Sequence, residues 1–226
     1  MAPVLSSTEF AQLIDHTLLK ADATAADIEI LCREARQHQF HGVCVNGSRI
    51  ELASSLLADS GIKVVCVVGF PLGAMDADVK RFETEAAVDN GAQEIDVVLN
   101  LGKLKENDSA FLLRELRDIV EAADGRPVKV ILETGLLTRE GKILACQIAV
   151  ESGAAFVKTS TGFSGAGATA EDVRLMREAV GSKVGVKASG GIRSLKTALS
   201  LIEAGANRLG VSASVEVARE LRAAAG

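Results

Sequence analysis

The sequence predicts an α/β fold, a single-domain (β/α)8 barrel. Three observations carry that expectation. Short runs rich in Val and Ile recur along the chain, as in "KVVCVVGF" (63–70) and "VKVILET" (128–134), and such runs suit parallel strands covered on both faces. Between them apolar residues return at helical spacing. Glycines then stand where helices should end, at Gly61, Gly91, Gly125, Gly153, Gly181 and Gly205, and glycine suits the left-handed residue just past a helix end.

Taken in order, the first strand is expected in "LIDHTLL" (13–19), preceded by a short extra N-terminal helix. The helix "TAADIEILCREARQ" (24–37) follows, with Thr24 and Asp27 at capping-box spacing. "GVCV" (42–45) and "KVVCVVGF" are the next two strands, and Val79, Phe82 and Ala86 form the apolar stripe of the helix after them. "EIDVVLN" (94–100) precedes a stripe of Leu112, Leu116 and Ile119. "VKVILET" and "FVKTST" (156–161) lead to a third stripe, Val173, Met176 and Val180, and "GVKASG" (185–190) and "RLGVS" (208–212) close the series. Eight such units in 226 residues match a small (β/α)8 barrel. An open doubly wound sheet is the alternative, but no G-x-G-x-x-G follows an early strand. No linker or low-complexity tract divides residues 1–226, so one domain is expected.

Composition narrows the function. The apolar share of 48% supports a substantial core, and no apolar run reaches the length of a membrane span. A net charge of −5, with no Trp or Tyr, argues against a nucleic-acid partner, since neither a basic stripe nor stacking surface is present. The start of the chain shows no secretory signal, and Cys32, Cys44, Cys66 and Cys146 form no C-x-x-C pair. A reducing cytoplasm is the expected compartment, with Cys44 and Cys66 as small buried thiols.

Active sites of such barrels gather at the carboxyl ends of the strands, so polar residues inside the apolar runs stand out. They include Asp15, Thr17, Asp96, Asn100, Glu133, Thr134, Lys158, Ser160, Thr161, Lys187, Ser189 and Ser212. Lys158 and Lys187 fall on consecutive strands, whose backbones lie roughly 5 Å apart. Desolvation and mutual repulsion are then expected to lower a lysine pKa, and a neutral amine is what Schiff-base chemistry with a carbonyl requires. The alternative is a structural ion network with Asp96 or Glu133 as counter-ions. Asp96 could relay protons or hold a lysine in place, and Asp15 could bind a hydroxyl or tie down a turn. Which lysine attacks stays open at this level.

The glycine-rich strand ends form a second group. "SGGIRS" (189–194) and "GVSAS" (210–214) leave the last two strands and enter helices, the usual phosphate-binding place in this fold. Gly190 and Gly191 would let backbone approach an anion, and Ser212 would add a hydroxyl; "STGFSGAG" (160–167) is a third such edge. His38 and His41 read as a solvated pair rather than a metal site. Alternation puts His16 on the opposite strand face from Asp15 and Thr17, as a structural residue.

Together "IDHTLLK", "VCVVGFPLG", "EIDVVLN", "KVILETGLL", "FVKTSTGF", "GVKASGGIR" and "RLGVSAS" resemble the deoxyribose-phosphate aldolase family, in the family's order and over nearly the whole chain. The resemblance implies a (β/α)8 lyase without metal or other cofactor that reversibly cleaves 2-deoxy-D-ribose 5-phosphate to D-glyceraldehyde 3-phosphate and acetaldehyde. It implies Lys158 as Schiff-base nucleophile, Lys187 as the neighbour that perturbs it, and Asp96 as proton donor and acceptor. By the same resemblance Asp15 and Thr17 lie near substrate hydroxyls, and Thr161, Gly162, Gly190, Gly191, Gly210 and Ser212 bind the substrate around its phosphate. The implied partners are the phosphorylated sugar and acetaldehyde, with a second copy of the chain in a homodimer. Two positions depart from some members: Phe163 stands where they carry lysine after "STG", and Ser212-Ala213-Ser214 replaces two successive serines.

Overall fold

The computed structural model describes residues 5–225. Ser6 opens a five-residue helix, α1 (Ser7–Ala11), through a capping box with Glu9, and Phe10 and Ala11 anchor it in the main apolar core. This is the short extra helix expected ahead of the barrel. The strands are β1 (Ile14–Thr17), β2 (Gly42–Val45), β3 (Lys63–Val68), β4 (Glu94–Val98), β5 (Val128–Ile131), β6 (Phe156–Lys158), β7 (Gly185–Ser189) and β8 (Arg208–Val211). Each pairs in parallel with the next and β8 returns to β1, so the barrel is closed.

The connecting helices are α2 (Ala25–His38), α3 (Ile50–Leu57), α4 (Ala77–Asp89), α5 (Leu101–Lys105), α6 (Ser109–Ala122), α7 (Arg139–Glu151), α8 (Ala170–Val180), α9 (Leu195–Glu203) and α10 (Ser214–Ala225). Thr24 caps α2 with Asp27 as the spacing predicts. The six helix-ending glycines all adopt positive φ, from 66° at Gly181 to 113° at Gly205.

Strand alternation divides the barrel into two environments. Val43, Val64, Ile95, Val130, Val157 and Val186 face outward and pack with the helices in one large core. The other face points to the barrel axis, which branched apolar side chains usually fill. Here a small cluster of Leu19, Cys44, Val65 and Val67 fills only part of it. Charged side chains of β1, β4, β5, β6, β7 and β8 occupy much of the rest.

Two expectations about packing change. Leu112, Leu116 and Ile119 face the core, as do Val173, Met176 and Val180, but the stripe on α4 faces water. Val79 is 53% and Phe82 67% exposed, and the buried positions of α4 are Lys80, Thr84 and Ala87. Lys80 is accommodated because its ammonium meets Glu115 of α6 at 3.0 Å and donates to the Val98 carbonyl. His38 and His41 are not a solvated pair. His38 stacks on Phe40 and accepts from Arg222, whereas His41 bonds Glu94 at the amino-terminal end of β4. His16 does point outward, bonded to Glu34 at 2.9 Å. All four cysteines are buried and free, and among the described residues no helix is long and apolar enough to cross a membrane.

Candidate active site

Lys158 and Lys187 are direct register partners across β6 and β7. Both ammonium groups donate to Asp96 Oδ2, each at 2.8 Å. Asp96 Oδ1 accepts from Lys129 at 2.7 Å, and Lys129 is the register partner of Asp96 on β5. Lys187 also bonds Asp15 of β1, whose other oxygen receives Arg208 at 3.0 Å. Glu94 completes the network through Lys129 at 2.6 Å and Arg208 at 3.4 Å. Four basic groups and three carboxylates thus share the barrel axis.

The electrostatics follow from these contacts. Burial alone would raise the pKa of Asp96, but Lys129, Lys158 and Lys187 outweigh it and hold the carboxyl well below the usual range. Asp15 and Glu94 are also lowered against burial, Asp15 mainly by Lys187 and Lys129, Glu94 by its bond from His41 and by Lys129. Of the two lysines expected to share a lowered pKa, Lys187 is not depressed. Burial pushes its pKa down, yet Asp15 and Asp96 push it further up, so it stays charged. Two carboxylates in contact outweigh both desolvation and a like charge.

Glycine makes room for this packing. A Cβ on Gly210 would stand 3.0 Å from Cβ of Ser189, its register partner on β7, and 3.2 Å from Lys187 Cε, so a side chain there would crowd the lysine. At the carboxyl end of the barrel, two glycine-rich loops rest against each other. A Cβ on Gly167 would lie 2.4 Å from the Gly190 carbonyl oxygen, which also accepts from Ala168. Gly162, Gly190 and Gly191 have φ of 85°, 88° and 74°, a region that side chains other than glycine rarely enter.

Above Lys158 these loops enclose a cavity of about 270 Å³. Thr17, Lys158, Thr161, Gly162, Gly190, Gly191, Gly210 and Ser212 all line it. Lys158 is 3% exposed and reaches the cavity, whereas Lys187, Asp96 and Asp15 lie fully buried beneath. Thr17 donates to the Asp15 carbonyl, and Thr161 bonds Glu133 through both its hydroxyl and its N–H. Asn100 caps α5 rather than joining the site. Lys20 and Arg193 also line the cavity, and Phe163 at its edge meets Phe70 edge-on at 5.1 Å.

Lys20, Lys129, Arg193 and Arg208 escaped the reading of the sequence. For Lys129 and Arg208 the same signal was available, a charge set inside an apolar strand run. Asp15, His41 and Glu94 bring potential metal-ligand atoms within 4.8 Å of one another. Arg208 already bridges Asp15 and Glu94, and Lys129 holds Glu94, so these carboxylates have cationic partners from the protein itself.

Comparison with known proteins decides the family. The DeoC/LacD family aldolase model matches residues 10–216. The chain belongs to the DeoC/LacD aldolases. Within that family it is 56% identical to the deoxyribose-phosphate aldolase of Alkaliphilus oremlandii, covering 93% of this chain and 95% of the relative. It is 55% identical to that of Carboxydothermus hydrogenoformans, covering 96% and 97%. Among solved structures, QR15, an aldolase, superposes with a TM-score of 0.91 at 42% identity, over 95% of this chain and 96% of that one. The deoxyribose phosphate aldolase of Aeropyrum pernix gives 0.91 at 35% identity, over 97% and 93%. DeoC/LacD membership makes the chain an aldolase, a lyase, and the relatives act on deoxyribose phosphate.

Proposed function

We propose that this aldolase cleaves 2-deoxy-D-ribose 5-phosphate to D-glyceraldehyde 3-phosphate and acetaldehyde through a Schiff base on Lys158. The observation that carries the reading is the position of Lys158. It is the one lysine that touches both the cavity and Asp96. Its charge relationships support the same role. Lys187, Lys129 and Arg208 each contact two carboxylates, whereas Lys158 shares a single oxygen with Lys187. With four basic groups against three carboxylates, removing one proton brings the network to neutrality, and Lys158 has the fewest bonds to lose.

The chemistry follows from these contacts. Lys158 passes a proton to Asp96 and its free amine adds to the aldehyde carbon of the open-chain sugar, giving a carbinolamine. Asp96 returns the proton to the carbinolamine hydroxyl, water leaves, and an iminium forms. The iminium nitrogen accepts the electron pair of the breaking C2–C3 bond while the carboxylate removes the C3 hydroxyl proton, directly or through one water. Glyceraldehyde 3-phosphate departs, the enamine gains a proton at carbon, and hydrolysis frees acetaldehyde and Lys158. The iminium supplies the electron sink, so the sequence of steps calls on no metal or other cofactor.

Lys187 stays charged and holds Asp96 in place, and Asp15 positions Lys187. The cavity of about 270 Å³ is slightly smaller than the pockets that take drug-sized ligands, which suits a phosphorylated five-carbon sugar. Its phosphate would rest on the backbone of Gly162, Gly190, Gly191 and Gly210 and on Ser212, with Lys20 and Arg193 as cations and Thr17 toward the hydroxyls. We assign the work to the cytoplasm, with a second copy of the chain as partner; the Aeropyrum relative is described as tetrameric. Incubation with 2-deoxy-D-ribose 5-phosphate, with acetaldehyde read by NADH-linked reduction, tests the reaction. Equal amounts of acetaldehyde and glyceraldehyde 3-phosphate support it; no aldehyde formation contradicts it.

A further inference from the structure

The ion network does not end at the active site. Below Asp96 it continues toward the amino-terminal face of the barrel. Lys129 stands between Asp96 Oδ1 at 2.7 Å and Glu94 Oε2 at 2.6 Å, and Glu94 Oε1 meets His41 Nε2 at 3.1 Å. Lys129 and Asp96 are fully buried and Glu94 nearly so, but the His41 side chain is 21% exposed. His41 opens onto a cavity of about 640 Å³ on the face opposite the substrate's, lined also by Arg36 and Lys63. A continuous run of hydrogen-bonded and ion-paired side chains therefore leads from the part-exposed His41 at one end of the barrel to Lys158 at the other.

We propose that His41, Glu94 and Lys129 form a proton path between solvent at the amino-terminal face and Asp96. The inference rests on the aldolase reading above. A substrate in the upper cavity closes the mouth over Lys158 while protons still have to move, because the enamine carbon gains one and Asp96 changes state. A path from the opposite end works while the mouth is filled.

Each residue is chemically suited to its place. Histidine is the side chain that exchanges protons most readily near neutral pH. Its imidazolium passes the Nε2 proton to Glu94 Oε1. After a half-turn of the carboxyl group, Glu94 gives it from Oε2 to Lys129 as Lys129 gives one of its own to Asp96 Oδ1. Asp96 turns in the same way and delivers to Lys158. Every hop breaks one N–H or O–H bond and forms another, no electrons are exchanged, and His41 is restored from water. Arg208 faces Glu94 and Asp15 beside the path, and its guanidinium has donors but no acceptor to pass a proton along.

The test compares wild type with His41→Ala and His41→Gln, the latter keeping a hydrogen-bonding group without a titrating ring. Three readouts apply: kcat and KM for 2-deoxy-D-ribose 5-phosphate, exchange of acetaldehyde methyl hydrogens into D2O, and borohydride trapping of acetaldehyde on Lys158. Both variants are expected to lose on the order of tenfold in kcat and in exchange, a modest share of what proton-transfer groups contribute. KM and the trapped fraction stay unchanged, and added imidazole restores the Ala variant. Wild-type kcat and exchange in His41→Ala would overturn the path. So would a loss that Gln repairs and imidazole does not, since His41 would then be structural. A wild-type protein showing neither exchange nor an adduct overturns the aldolase reading and the path with it.

Discussion

Lys158 and Lys187 donate to one oxygen, Oδ2 of Asp96, at the same distance of 2.8 Å, yet only Lys187 has a second carboxylate. Asp15 is what makes two neighbouring lysines unequal. One is held charged beneath the floor of the cavity, and the other reaches into it with a single shared partner.

Asp15→Asn removes that distinction. Lys187 loses its second carboxylate, and Arg208 keeps only the longer contact to Glu94. Breaking one partner out of a buried pair costs about 3–5 kcal/mol. The variant is expected to unfold at lower urea and to turn over more slowly, both measured against wild type. Unchanged stability would show that Asp15 does not hold this network.

The pH dependence of stability has a defined sign. Asp15, Glu94 and Asp96 have folded-state pKa values below their ordinary 3.8 and 4.5. Their contribution is therefore fully present above the ordinary carboxylate range and lost as pH falls through the lower folded values. Lys187 is raised above 10.5, so its contribution is present below that value and lost only in strong alkali. Urea midpoints are expected to hold between about pH 5.5 and 7 and to fall steeply below about pH 4. A loss centred near neutrality would contradict the network as described.

Lys80 and Glu115 form a second buried pair, between α4 and α6, that the reaction does not use. Burial pushes the Lys80 pKa down and the Glu115 pKa up, so each is costly to leave charged alone. Glu115→Ala should cost about 3–5 kcal/mol, whereas Lys80→Met with Glu115→Leu should be neutral or stabilising. Denaturant titrations of the single and double variants distinguish this from an additive loss.

Arg193 is one of two cations, with Lys20, that line the mouth beside the glycine loops. Arg193→Met is expected to raise KM for the phosphorylated sugar on the order of tenfold, the worth of one charge-assisted contact. Steady-state kinetics with unphosphorylated deoxyribose should show a much smaller change. Equal effects on both sugars would place the phosphate elsewhere.

Much of this was legible in the sequence, for identifiable reasons. Val/Ile runs and glycine ends gave the strands and their order, because a strand buried on both faces shows its burial locally. Polar residues in those runs pointed to Lys158, Lys187 and Asp96, since lysine and aspartate inside a barrel need partners. The α4 stripe misled because periodicity shows that one face is apolar, without saying that it faces inward. The true inward face carries Lys80, whose partner Glu115 lies on α6. That Lys187 is the lysine held charged was hidden in the sequence for the same reason. Its partner Asp15 lies 172 residues away in sequence, and only closure of β8 onto β1 brings the two together.

Lys158 is the residue proposed to bond covalently to substrate. Borohydride reduction with 2-deoxy-D-ribose 5-phosphate or acetaldehyde, followed by peptide mass spectrometry, tests it directly. A stable adduct on Lys158, absent from Lys187 and lost in Lys158→Leu, is the expected result. An adduct on Lys187, or full turnover with no adduct on any lysine, would contradict the account.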